Sequence, residues 1–159
     1  MKQGDRRLRA SFIGAGTLVL TAAVLVTLCR AQGGGASPQT LLPDLMVYSI
    51  TAPSSASRGA AISVSDVTTN TSAYSAPQSV SDVYICTNVN NVTSSCWVTN
   101  HPVAGIAKGK SWPWAGSVTV PATQPLGTNY YIVVANGNRQ VNESNYNNNT
   151  NYVMIVINP

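Results

Sequence analysis

The sequence predicts an all-β sandwich preceded by an N-terminal hydrophobic export or anchor helix, and three observations carry that reading. After residue 31 the chain breaks into short runs of strand-forming residues separated by turn residues. No stretch beyond residue 31 repeats apolar side chains at helical spacing for three turns. Charged residues make up only 9% of the chain, against roughly 25% in an average soluble domain, while apolar residues reach 44%. Ser, Thr and Asn supply the polarity, which suits the outside of a cell better than a cytosolic enzyme.

The first segment, residues 1–31, is read as a signal peptide or a membrane anchor. Residues 2–9 (KQGDRRLR) are basic, residues 10–29 carry no charge, and Arg30 ends the run. A basic stretch followed by an apolar one is the export pattern, and the basic excess places the N-terminus in the cytoplasm. Twenty residues at about 1.5 Å each span a bilayer core of about 30 Å. Two fates stay open. Small residues at Cys29 and Ala31 fit cleavage after Ala31, and Gly34-Gly35-Ala36 offers a second site. Alternatively residues 10–29 stay in the membrane. Leu28 disfavours Cys29 as a lipidated residue, and Arg9 disfavours a twin-arginine signal built on Arg6-Arg7. Residues 32–43 (QGGGASPQTLLP) read as a flexible linker.

Residues 1–31 also carry all of the net charge of +4, and the remainder sums to zero. Without a basic stripe the domain cannot release counterions from a phosphate backbone, which excludes nucleic acid as a partner.

Seven strands are expected between residues 44 and 159. They are LMVYSIT (45–51), AAISVS (60–65), SVSDVYICT (79–87), CWVT (96–99), SWPWAGSVTV (111–120), YYIVVA (130–135) and NYVMIVI (151–157). Pro53, Pro121 and the NGN turn (136–138) punctuate them. YIVVA and YVMIVI are apolar on both faces, so they sit centrally in a sheet or have one face covered by a neighbouring subunit.

Three stretches together resemble the CARDB family, a cell-adhesion-related domain found in bacteria. They are PDLMVYSITAPSSASRGAAISV, VAGIAKGKSWPWAGSVTVP and LGTNYYIVVANGNRQVNESNYNNNTN. The most specific pieces are Pro43-Asp44-Leu45, the Ala107–Gly109 turn before Ser111, and Glu143-Ser144-Asn145 followed by Asn147-Asn148-Asn149. The resemblance implies an immunoglobulin-like seven-stranded sandwich on exported proteins, adhesive or spacing, without catalysis. Three features depart from the family pattern. Thr71 and Ser72 follow Asn70 where Asn-x-Gly is usual, and Asn136 and Asn138 replace the usual acidic loop residues. Asp66 falls in phase with Ile62 and Val64, where an apolar residue belongs. A bulge that rotates it outward is expected, with hydrogen-bonded burial as the alternative.

Candidate chemistry is sparse. Cys86 and Cys96, the two cysteines of the exported domain, suggest one disulfide. With a single His101 they do not form a zinc pattern, and no cofactor is implied. His101, before Pro102, reads as an exposed loop histidine, and no nucleophile elbow occurs. Trp112 and Trp114 share one face of a strand, as core packing or as a stacking platform for sugar or protein, with Tyr74 as a further contact. The run NESNYNNNTN (142–151) reads as a polar loop, with Glu143 and Asn145 as donors to a weak calcium site. Asn70, Asn91, Asn142 and Asn148 head glycosylation sequons.

The expected function is a non-catalytic adhesion or interaction module, secreted or at the cell surface. Its partners would be other surface proteins, itself, or polysaccharide. One alternative is a subunit of an extracellular filament or pilus, assembled through its N-terminal segment or strand edges. A carbohydrate-binding module is the other.

Overall fold

A computed structural model describes residues 41–159. The expected export segment and residues 32–40 of the linker lie outside the described residues. Eight strands follow in order: β1 (Leu45–Thr51), β2 (Ser55–Ser57), β3 (Ala61–Asn70), β4 (Ser79–Cys86), β5 (Trp97–Val103), β6 (Ser111–Thr119), β7 (Gly127–Val134) and β8 (Thr150–Asn158). They form two sheets, one ordered β1-β3-β6 and the other β2-β8-β7-β4-β5. Long pairings are antiparallel, and only the short β2 runs parallel to its neighbour β8.

All seven expected strands are present. The eighth, β2, has the sequence SAS and pairs through its backbone over three residues, so no apolar alternation announces it. Two strands run further than their apolar residues suggest. The β3 strand continues to Asn70 because Asp66, Thr68 and Asn70 keep the inward phase with polar side chains. The β5 strand continues through His101 to Val103.

The core lies between the sheets. Leu45 and Val47 of β1 and Ile62 and Val64 of β3 meet Val83 and Ile85 of β4 and Ile155 and Ile157 of β8. As expected for an apolar strand, β7 is central, between β8 and β4, with Tyr131, Ile132 and Val133 all buried. The β8 strand differs. Ile155 and Ile157 face the core, while Tyr152 and Met154 alternate with them and stay exposed.

Strands β5 and β6 end their sheets side by side at one border of the sandwich. Each carries a proline, Pro102 and Pro113, which removes one backbone donor from an open edge. Sheets use this device to block edge-to-edge pairing.

Candidate functional site

The residues with most chemical potential lie inside the sandwich. Asp66 stays in phase with Ile62 and Val64, because the β3–β6 register runs without a shift from Ala61 to Thr69. The bulge expected at Asp66 occurs instead on neighbouring β1, between Val47 and Ser49, and Tyr48 there is exposed. Asp66 is therefore buried, with its Oδ2 2.9 Å from His101 Nε2. His101 is not an exposed loop residue. It lies on β5, 3% exposed, with its ring stacked on Trp114 at 3.9 Å between centroids. Sequence reasoning missed this pair because its members are 35 positions apart on different sheets. The polar residue in an apolar phase was the one available signal.

Trp114 turns inward from β6, and its ring lies over Gly116. A Cβ at Gly116 would come within 2.5 Å of that ring, so the stack needs glycine there. Trp112 shares the inward face but sits at the border, 40% exposed, in a crevice with Ser79, Pro102, Val103 and Gln140. The two tryptophans thus do not form an outward platform. Tyr74 is exposed in the loop before β4, and its carbonyl accepts from Asn70 Nδ2.

Around the pair lie further buried polar groups. Thr68 Oγ1, Ser79 Oγ, Ser81 Oγ, Asp66 Oδ1, His101 Nδ1 and Tyr131 Oη have no hydrogen-bond partner within the protein, and Asp66 Oδ2 and His101 Nε2 meet as a close contact without hydrogen-bond geometry. Ser81 stands opposite His101 in the β4–β5 register. Serine, histidine and aspartate therefore share one layer of the interior. Ser81, His101 and Asp66 are all buried, so a substrate cannot reach them. Burial pushes the Tyr131 hydroxyl pKa well up, and the charge of Asp66 adds to the effect.

A second polar cluster ties the loop between β7 and β8 to the start of β1. Glu143 Oε2 accepts from the Leu45 backbone N–H at 2.5 Å. Its Oε1 accepts from Asn136 Nδ2 and Asn149 Nδ2, both at 2.7 Å. Ser144 N–H donates to the Pro43 carbonyl, and Asn148 Nδ2 donates to Asp44 Oδ1. Asn136 takes a left-handed φ of 50°, a conformation asparagine tolerates. The sequence expectation gave Glu143 a share in a weak calcium site. Its partners are two amides of that loop and the first residue of β1, which engage both carboxylate oxygens. Asn145 is exposed, and its Oδ1 accepts from Asn147 N–H. Among the described residues, no three His, Cys, Asp or Glu side chains are grouped to hold a metal ion.

Asn70 is fully buried. Its Nδ2 donates to the carbonyls of Tyr74 and Ile106, and its Oδ1 accepts from Asp44 and Ser72 N–H. A glycan on that nitrogen is incompatible with this fold. Asn91 and Asn142 are exposed, and Asn148 is half-buried. Cys86 and Cys96 form the expected disulfide, with Cα atoms 5.2 Å apart, tying the end of β4 to the turn before β5.

Two facing sheets with a buried core and a hydrogen-bonded tie between the β7–β8 loop and the start of β1 define an immunoglobulin-like sandwich in the described residues. The CARDB family model matches residues 42–153, and the chain belongs to that family. The family is a non-catalytic immunoglobulin-like module associated with cell-surface and adhesion-related proteins. Two of the three pieces that carried the resemblance, Pro43–Leu45 and Glu143–Asn149, are the two halves of the tie just described.

Among solved structures, the chain is similar to the CARDB domain of a Pyrococcus furiosus protein, determined in complex with di-metal ions. The TM-score is 0.56 at 18% identity, covering 74% of this chain and 90% of that one. It is also similar to a domain of a putative cell surface protein from Methanosarcina acetivorans. There the TM-score is 0.55 at 15% identity, covering 74% of this chain and 93% of that one. A β-glucosidase from Listeria innocua matches with a TM-score of 0.50 at 14% identity, but the match covers only 16% of that enzyme. At these identities the likeness is one of fold. No curated protein sequence matches the chain.

Proposed function

We propose that this chain is an exported, non-catalytic interaction module that works at the cell surface. The observation that carries the reading is the burial of Asp66 and His101. The one histidine of the chain meets its carboxylate partner in the interior, which leaves the outer surface as the working part. The Cys86–Cys96 disulfide suits an oxidising compartment, and the basic-then-apolar start of the sequence is the matching export pattern. Pro102 and Pro113 count against a filament built by strand addition at the β5 and β6 edges.

The test is fractionation of cells carrying the full chain, with thiol alkylation and intact mass on the recovered protein. The expected result is protein in the surface or extracellular fraction with Cys86 and Cys96 closed to alkylation. A cytosolic chain with both thiols reduced would sink the proposal.

A further inference from the structure

The outer face of the five-stranded sheet carries an aromatic row that the core does not use. Trp97 of β5 stands opposite Tyr84 of β4, Tyr84 opposite Ile132 of β7, and Ile132 opposite Tyr152 of β8. The row therefore crosses four adjacent strands in register. Tyr130 and Met154 form the next pair along β7 and β8. The Tyr130 and Tyr152 rings meet edge to face at 5.7 Å. Ile132 points away from the core cluster yet is fully buried, and its cross-strand neighbours on that face are Tyr84 and Tyr152. Trp97 and Tyr152 remain about half exposed, at 46% and 48%, and Met154 reaches 59%.

Size and charge select the occupant. Three inter-strand steps of about 4.8 Å and one same-face step of about 6.8 Å give a footprint of roughly 14 Å by 7 Å. That is roughly 100 Å², about an eighth of the ~800 Å² that each side contributes to a stable protein interface. A second copy or a folded protein finds too little apolar surface here. A single extended polymer needs only a strip of this width. Among the described residues, Asp82 is the one charged side chain on that face, and it lies one register row away from the aromatic row. Nothing there attracts an anion. Asn100, Thr128 and Thr150 border the rings with neutral donors and acceptors.

We propose that the outer face of the five-stranded sheet binds an uncharged polysaccharide, with sugar rings stacking on Trp97, Tyr84, Tyr152 and Tyr130. The apolar faces of pyranose rings pack on aromatic faces, and their hydroxyls reach the bordering amide and hydroxyl groups. This deepens the reading of the chain as a surface interaction module and rests on it. It also moves the sugar-binding platform from Trp112 and Trp114 to the opposite sheet.

The test is titration calorimetry and affinity electrophoresis of the full chain in mild detergent. The probes are laminarin, xylan and chitohexaose as neutral glycans, with hyaluronan as the charged control. At least one neutral glycan should bind, and hyaluronan should not. Trp97→Ala and Tyr152→Ala should each weaken binding by up to about tenfold, while Tyr74→Ala leaves it unchanged. Both target residues are exposed, and unchanged unfolding midpoints show that the variants are folded. Four outcomes overturn the proposal: no neutral glycan binds, hyaluronan binds better, binding survives the double variant, or sedimentation shows a dimer that Tyr152→Ala dissolves. A chain that reaches the cell surface but binds no glycan removes this inference alone. A chain retained in the cytosol removes the functional reading, whatever it binds.

Discussion

Removing either member of the Asp66–His101 pair should cost far more than removing both. His101→Phe keeps a ring stacked on Trp114 and deletes the nitrogen that faces Asp66 Oδ2 at 2.9 Å. The carboxylate is then left in the interior without a counter-group. Breaking a buried pair in this way costs about 3–5 kcal/mol. Asp66→Leu takes from His101 Nε2 its carboxylate neighbour, at about 1–3 kcal/mol. With both replaced, no uncompensated polar group of the pair remains, and the cost falls near zero. The single costs sum to at least about 4 kcal/mol, so the coupling energy should be about 4 kcal/mol or more, a large part of the ~5–15 kcal/mol that holds a domain folded. Urea unfolding at pH 7, followed by tryptophan fluorescence, measures all four proteins of the cycle. Additivity of the two single changes to within about 0.5 kcal/mol would show that the pair does not act as a unit.

Three further predictions follow from individual contacts. Replacing Cys86 and Cys96 with Ala opens a loop closed across a sequence separation of 10. In the chain-entropy model that lowers stability by about 2.7 kcal/mol, and an unchanged urea midpoint would show that the link does not constrain the unfolded chain. Glu143→Gln sets an amide donor among the three donors that Glu143 now receives, and should cost about 2–3 kcal/mol by denaturant unfolding. Millimolar calcium should leave the wild-type midpoint in place, and a saturable rise would return Glu143 to the role of a calcium ligand. Tyr131 and Tyr84 both have raised hydroxyl pKa values, through burial first and then through Asp66 and Asp82 respectively. The folded chain keeps these protons to higher pH than the unfolded chain, whose tyrosines ionise near pH ~10. Their contribution to stability is thus intact below pH ~10 and is lost as pH rises through the folded values. Tyr131→Phe should flatten that loss and change little at pH 7, since its hydroxyl has no partner. An equally steep alkaline loss in the variant would rule Tyr131 out as the source.

How far the sequence revealed the fold depended on whether the determining contact was local. Strands such as β4 and β7 announce themselves, because alternation and β-branched residues are properties of neighbouring positions. The cysteine pair was legible for a similar reason, being close in sequence and alone in its domain. The ends of β3 and β5 were not legible. Asp66, Thr68 and His101 look like surface residues until the second sheet is laid over them, and only then do Asp66 and His101 become polar neighbours from strands far apart in the chain. The bulge expected at Asp66 was a local remedy for a non-local problem. The protein resolved the problem by burying a histidine beside the carboxylate and by placing the bulge on β1.

The same distinction separates the two candidate sites. The motifs Pro43–Leu45 and Glu143–Asn149 are conspicuous in the sequence because their residue types are unusual, yet the structure spends them on tying the first strand to the last loop. The row Trp97, Tyr84, Ile132 and Tyr152 is inconspicuous, because aromatic and β-branched residues are ordinary in strands and the four are far apart in the chain. Only the register of β5, β4, β7 and β8 aligns them. The exposed part of this row, Trp97 and Tyr152, adds nothing to the core, and a monomer gains solubility by losing it. Its presence on the central rows of the larger sheet is therefore a stronger sign of a ligand than the asparagine-rich loop, whose hydrogen bonds are consumed within the fold.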